Sequence, residues 1–413
     1  MMSSKKVMAL FIVGAVVLQT GCAEKASDKV DNKYSIAAKA LSEPIDEVMG
    51  ANNKLAFKML KQTYTSNKGK NSILSPISVS TLMALSQNSA AGDTKKEMLK
   101  ALELTGIDDK TINESYKSII ANFNSVQDVN IKMANSLWVN KGINIKEDFS
   151  NIGKQYYEAE INSVDFNKSK TVNTINQWVS DRTAGKIKKI VDKFDGGTLM
   201  ALINTVYFKG DWFTPFDSIF TEKKYFNTGD GSEKMVDMMQ STWSVDYLKG
   251  QDFKAIRMPY TNQDFGMYIF LPEQGSSVDK LINDMSFDNW NMWTKNFTES
   301  RVEVKIPKFH VEFQQQLNDM MKSFGMKAAF GGSADFSKAS DFKGLFISSI
   351  LQKCYVDVDE KGTEAAAVTS ELKCGSAAIK DKPEEFIADR PFIFTIADKK
   401  TGYIMFTGVI ESP

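Results

Sequence analysis

Histidine occurs once in these 413 residues, cysteine three times and proline nine times, and charge is balanced at 51 lysines and arginines against 51 aspartates and glutamates. Each scarcity removes a class of function. A Ser-His-Asp arrangement needs a histidine beside its nucleophile, and zinc sites usually take several histidines or cysteines. The single histidine, His310 in VKIPKFHVEF, falls in a stretch that alternates like a strand, the pattern of a structural residue. No paired-carboxylate motif stands out either, so neither an enzyme nor a cofactor is expected. Balanced charge leaves no electrostatic footprint for nucleic acid. Cys22, Cys354 and Cys374 are too few and too widely spaced for a disulfide framework. Cys354 sits in an apolar run, where a free thiol behaves as a small hydrophobe, and nothing near Cys374 would activate it.

Long apolar runs are scarce too. The one at residues 7–18 follows Lys5 and Lys6 and is too short to span a bilayer, which makes MMSSKKVMALFIVGAVVLQTGC a secretory signal. Its ending, LQTGC, is similar to a bacterial lipobox: Thr20, Gly21 and Cys22 fit, while Gln19 stands where leucine is usual. The expectation is a lipoprotein-type leader over 1–21, lipidation at Cys22 and a polar tether over 22–44. The mature chain would be exported and held to the cell envelope by its lipid anchor alone, or secreted if Cys22 is not lipidated.

From residue 45 the chain reads as continuously globular, at 42% hydrophobic and 25% charged. NKLAFKMLKQTYTS has helical spacing, and TVNTINQWVSDRTAGKI is a helix stopped by Gly185. TLMALINTVYFKGDW reads as a strand, and AIRMPYTNQDFGMYIFLP as two with a turn at Asn262 and Gln263. RVEVKIPKFHVEF reads as one strand leading into a helix, QQQLNDMMKSFGM. Early helices, late strands and no proline- or glycine-rich linker argue for an α+β fold in one large domain over 45–413.

One stretch does not fit an ordinary domain. EKGTEAAAVTSELKCGSAAIK, residues 360–380, lies between two strand-like segments. Loops longer than about 12–15 residues are uncommon and are usually functional or disordered. This one has no proline, and its first half is alanine and β-branched residues, unlike a linker.

With these segments the chain resembles the serpin family. The resemblance is carried in order by NSILSPISVSTLMALSQNSAAGDTKKEM, IKMANSLWVN, INQWVSDRTAGKI, LINTVYFKGDWFTPFD, FGMYIFLP, VEVKIPKF, FGMKAAFGGSADFS, VDEKGTEAAA and FIADRPFIFTIADKKTGYIMFTGVIESP. It implies three β-sheets, about nine helices and an exposed reactive-centre loop at about 360–385. It also implies a function: irreversible suicide-substrate inhibition of a serine protease, which acylates itself on the loop and is trapped when the cut loop inserts into the large sheet. A monomer is expected, whose partner is that protease.

The resemblance assigns roles to residues. Glu360, Gly362, Thr363, Glu364, Ala365, Ala366 and Ala367 correspond to the hinge, with Gly362 as a flexible pivot. Alternation places Thr363, Ala365, Ala367 and Thr369 on the inward face of the inserted strand, all small and uncharged. The same parity turns Glu371 and Lys373 inward, which leaves room for a non-inhibitory serpin acting as a carrier, binding or chaperone module. Family spacing places the scissile bond between Ser376 and Ala377, or between Ala377 and Ala378, suiting an elastase-like protease. Lys373 and Lys380 are alternative baits for a trypsin-like one. Ser75, Pro76, Ser78 and Asn204 match the shutter under the sheet, with Gln352 where the family often has a histidine, so no opening triggered near neutral pH is expected there. Trp212 and Lys308 match the breach, Lys308 paired with Glu360; ordinary core packing is the plainer reading of Trp212. GIDDKTINESYKSII lacks the basic cluster of heparin-activated members, so polyanion activation is not expected.

Overall fold

A computed structural model describes residues 43–363 and 382–413, which fall in a single compact unit. The leader, Cys22 and the tether up to residue 42 lie outside the described residues. So do Glu364, Ala365, Ala366, Ala367, Thr369, Glu371, Lys373, Cys374, Ser376, Ala377, Ala378 and Lys380.

Nine α-helices occur among the described residues: α1 (Glu43–Ser66), α2 (Pro76–Gln87), α3 (Gly92–Ala101), α4 (Asp109–Ser125), α5 (Glu147–Tyr157), α6 (Ser169–Arg182), α7 (Val278–Asp284), α8 (Phe287–Lys295) and α9 (Asn318–Ser323). Helix α1 starts two residues before the boundary expected at 45. Every residue of α2 is buried, its serines, threonine and glutamine included, and it lies between the sheets. Pro76 occupies its first turn, where the missing N–H has no intrahelical partner to lose. Helix α6 ends at Arg182, and the left-handed turn that stops it falls on Ala184 and Gly185 together, at φ 52° and 77°.

A six-stranded sheet runs β10 (Phe309–Gln316), β11 (Ile347–Val358), β12 (Gly362–Thr363), β4 (Met200–Asp211), β2 (Val129–Asn140) and β3 (Glu160–Val164). A second ladder runs β1 (Ser72–Leu74), β15 (Ile404–Ile410), β14 (Phe392–Asp398), β8 (Phe265–Pro272), β7 (Phe253–Pro259), β6 (Glu233–Lys249), β9 (Thr298–Pro307) and β13 (Glu384–Ile387), with β5 (Glu222–Asn227) beside β6. The long β6 pairs with β5 and β9 over most of its length and with β7 only at its end. The expected three sheets are therefore one six-stranded sheet and two that share β6.

One expected strand is two. RVEVKIPKFHVEF breaks at Lys308: β9 belongs to the second ladder and β10 to the six-stranded sheet. Alternation continues through the break, so periodicity could not reveal that the partners change. The helix expected from Gln314 starts only at Asn318, because Gln314, Gln315 and Gln316 pair with β11. Trp138, Ile175, Val179, Ile203 and Tyr207 share a core that packs α6 on one face of the six-stranded sheet.

Candidate functional site

The site begins where the six-stranded sheet opens. Strands β4 and β11 pair in parallel from Met200 beside Ile347 up to Tyr207 beside Tyr355. Above that level β12 lies between them: Gly362 and Thr363 pair with Asp211 and Gly210, and Thr363 also with Val358. Thr363 is fully buried, and its Oγ1 stands 2.7 Å from the Tyr260 hydroxyl. A small side chain with one hydroxyl fits this slot. Gly362 is required for a reason other than the pivot expected from the sequence. Its φ lies outside the left-handed region, but a Cβ there would overlap the Gly210 carbonyl oxygen and stand 2.7 Å from Asp211 Cα. Close approach of two backbones, not flexibility, excludes a side chain.

The residues before β12 are clamped. Asp359 Oδ1 accepts hydrogen bonds from the Lys361 and Gly362 amides at 2.8 and 3.2 Å, and its own amide donates to the Gly362 carbonyl at 3.0 Å. The Trp212 indole donates to the Asp359 carbonyl at 3.0 Å and stacks on Tyr260 with ring centroids 4.8 Å apart. Lys308 Nζ and Thr221 Oγ1 both donate to the Glu360 carboxylate at 2.9 Å, while the Phe216 amide donates to the Glu360 carbonyl at 2.8 Å. The expected Lys308–Glu360 pair is thus in place, and Trp212 is more than core packing.

Two carboxylates here shift in opposite senses. Burial works to raise the Glu360 pKa, but hydrogen bonds from Lys308, its own backbone and Thr221 outweigh it and hold the carboxyl below its ordinary range. Burial raises Asp211, reinforced by Asp359 and opposed by Lys209. Glu360 therefore adds stability that is complete above its unfolded pKa of about 4.3 and is lost as pH falls through the lower folded value. Asp211 has the opposite sign: its contribution is present below its unfolded pKa, about 3.9, and disappears as pH rises through the raised folded value. The Glu360 contribution is therefore expected to be lost only in acid, and Glu360→Gln should flatten the fall of the melting midpoint below about pH 4.3 relative to wild type in a melting series from pH 3 to 6.

Below the opening lies a buried polar network. Gln352 Nε2 donates to the Ser75 carbonyl at 2.9 Å and to Asn204 Oδ1 at 2.8 Å, and its Oε1 accepts from the Ser75 amide at 3.4 Å. Asn204 Nδ2 donates to Asn135 Oδ1 at 2.7 Å and to Ser78 Oγ. Ser75 serves through its backbone, and Pro76 only starts α2. The Gln352–Asn204 bond crosses the seam between β11 and β4, where the two residues lie side by side. Inserting one strand moves the flanking strands from about 4.8 Å to nearly twice that distance, which breaks the bond.

Sequence reasoning missed Tyr260, Thr221, Asp359 and Asn135. Only Asn135 left a trace, as a polar residue in the apolar run MANSLWV that folds directly opposite Asn204. His310 is half exposed on β10, its Nδ1 4.0 Å from Asp357 and its ring edge-on to Tyr355. Cys354 is wholly buried, and burial pushes its thiol pKa up. Among the described residues no group of three His, Cys, Asp or Glu is placed to hold a metal ion, and no helix is long and apolar enough to cross a membrane.

The family model described as serpin (serine protease inhibitor) matches residues 50–413. An uncharacterized serpin-like protein of Thermococcus kodakarensis is 33% identical over 92% of this chain and 88% of its own length. The leukocyte elastase inhibitor of Sus scrofa is 31% identical over 89% of this chain and the whole of its own. Among solved structures, the thermophilic serpin tengpin in its native state superposes with a TM-score of 0.83 at 30% identity, covering 91% of this chain and 96% of that one.

Proposed function

The chain belongs to the serpin family, and from that premise we propose that it is an irreversible suicide-substrate inhibitor of an elastase-like serine protease. The observation that carries this reading is β12. Gly362 and Thr363 already pair between β4 and β11 at the head of the one seam a new strand would have to open.

Continuing that register down the seam sets each following residue against named neighbours. In a strand inserted on that register, Ala365 would fall between Phe208 and Val356, and Ala367 between Val206 and Cys354. Thr369 arrives between Asn204 and Gln352, where its hydroxyl offers partners to the two side chains that insertion separates. Glu371 arrives between Leu202 and Ile350, both buried and apolar. Up to Thr369 the sequence suits insertion; Glu371 opposes it, since an inward carboxylate must be desolvated. That opposition is what favours the second reading, a non-inhibitory binding or carrier serpin.

In the inhibitory reading the protease serine attacks the Ser376 carbonyl carbon, the bond to Ala377 breaks, and the amine of Ala377 leaves with a proton. The remaining ester is trapped if insertion outruns hydrolysis, so the chain is consumed rather than turned over. The test is incubation of the domain lacking its leader with elastase-, trypsin- and subtilisin-like proteases, followed by a denaturing gel and intact mass. A denaturant-resistant complex with release of a peptide starting at Ala377 or Ala378 is expected. Clean cleavage without a complex from every protease would transfer the assignment to the non-inhibitory reading.

A further inference from the structure

Two side-chain hydrogen bonds at the seam behave oppositely on insertion. The Gln352–Asn204 bond joins β11 directly to β4 and breaks when they part. The Tyr260–Thr363 bond, at 2.7 Å, joins residues that both stay beside β4: Thr363 pairs with Gly210, and the Tyr260 ring lies over that same glycine. A Cβ on Gly210 would stand 2.9 Å from Tyr260 Cδ1, so the glycine is what lets the ring approach.

Tyr260 is fixed independently of the hinge. It follows β7 directly, and its amide donates to the Phe265 carbonyl across the β7–β8 turn at 3.0 Å. Its ring stacks on Trp212 with the planes 10° apart and tilts against Phe208 at 4.9 Å. On either side of it, the Phe213 amide donates to the Pro259 carbonyl and the Thr261 amide to the Asp211 carbonyl, both at 2.9 Å. Backbone as well as ring is therefore tied to the end of β4. The phenol is wholly buried, and burial pushes its pKa above the ordinary range, so it stays neutral. Among the described residues Thr363 is the one hydrogen-bond partner of that hydroxyl.

A contact shifts an equilibrium only by what it does differently in the two states. With the hinge seated, two buried hydroxyls satisfy each other. With Thr363 withdrawn, the Tyr260 hydroxyl loses its partner, and an unmet buried hydroxyl costs more than the bond itself contributes. We propose that Tyr260 is the positioning residue for the bait segment: its hydroxyl holds Thr363 seated at the head of the seam before any protease arrives, and selects a small hydroxyl-bearing residue there. The seated residue is the first rung of the strand that forms after cleavage. The race between insertion and hydrolysis of the ester therefore starts with that rung already ordered. This consequence rests on the inhibitor reading; the seating of the hinge does not.

The test compares wild type with Tyr260→Phe, Thr363→Val and the double variant. Phenylalanine keeps the ring on Trp212 and valine keeps the branched shape of threonine, so only the hydroxyls are removed. Without protease, the readout is hydrogen exchange at the Asp359 amide, which donates to the Gly362 carbonyl at 3.0 Å and is freed when the hinge unseats. Exchange there is expected to be about tenfold faster in each single variant, the scale of one orphaned hydroxyl. In the double variant neither group is left unpaired, and exchange should return to within about twofold of wild type. Amides of β14 and β15 should exchange as in wild type, which separates unseating from general loosening. With the protease panel, each single variant is expected to give several-fold more free cleaved chain per covalent complex, and the double variant to recover the wild-type ratio. Unchanged exchange in the single variants overturns the assignment, as does a double variant in which the two losses add to about a hundredfold. Rescue of exchange with an unchanged ratio of cleaved chain to complex also overturns it, because the seat then has no part in trapping. Wild type that is cleaved without forming complex sinks the inhibitor reading instead; Tyr260 is then judged by exchange alone, with rescue supporting the seat and its absence overturning it.

Discussion

Thr363→Arg is expected to abolish the covalent complex while leaving cleavage of the loop intact. In the native chain Thr363 is sealed between β4 and β11 with its hydroxyl against Tyr260. An arginine there must lose its hydration in a slot that holds a threonine, which costs several kcal/mol. The folded protein has an escape, because two residues of β12 can withdraw from the sheet for the loss of a few ladder hydrogen bonds. Insertion has no such escape, since residue 363 enters first. A barrier raised by about 3 kcal/mol slows insertion roughly a hundredfold, and deacylation then wins the competition. The cut protein should run as free cleaved chain, with active protease recovered and the native melting midpoint within a few degrees of wild type. Thr363→Ser keeps size and hydroxyl and is expected to retain the complex. If Thr363→Arg inhibits as wild type does, insertion led by this residue is wrong.

The second large effect is expected at Asn204. Asn204→Ala strips a hydrogen-bond partner each from Gln352, Asn135 and Ser78 in a fully buried site. Leaving such groups unpaired costs about 1–3 kcal/mol each before relaxation, so a native-state loss of about 3 kcal/mol is expected. Read at a fixed scan rate, that lowers the native midpoint by several degrees. The physical point lies in the comparison with the loop-cleaved form. In the native sheet Asn204 and Gln352 bond directly; with a strand between them they do not. A double-mutant cycle of Asn204→Ala and Gln352→Ala should therefore show coupling of about 1 kcal/mol or more in the native protein and little in the cleaved one. Equal coupling in both forms would mean that the seam does not open between these two residues.

The order of motifs, the single domain, the scarcity of catalytic side chains and the small, uncharged inward face of the hinge are properties of the chain as written. They are legible because alternation and helical spacing are local, and because Thr363, Ala365 and Ala367 declare their size without reference to anything else. Other facts needed the folded molecule. RVEVKIPKFHVEF belongs to two sheets because a strand's partners are chosen by distant segments, which its own period does not encode. Gly362 looked like a pivot until the Gly210 backbone was seen to lie where its Cβ would be. Tyr260, 103 residues from Thr363, could be linked to it only by the register that brings both to the head of the seam. The sequence by itself determined what could enter the sheet; the tertiary structure decided where it enters and what holds the entrance, because those depend on contacts between residues far apart in the chain.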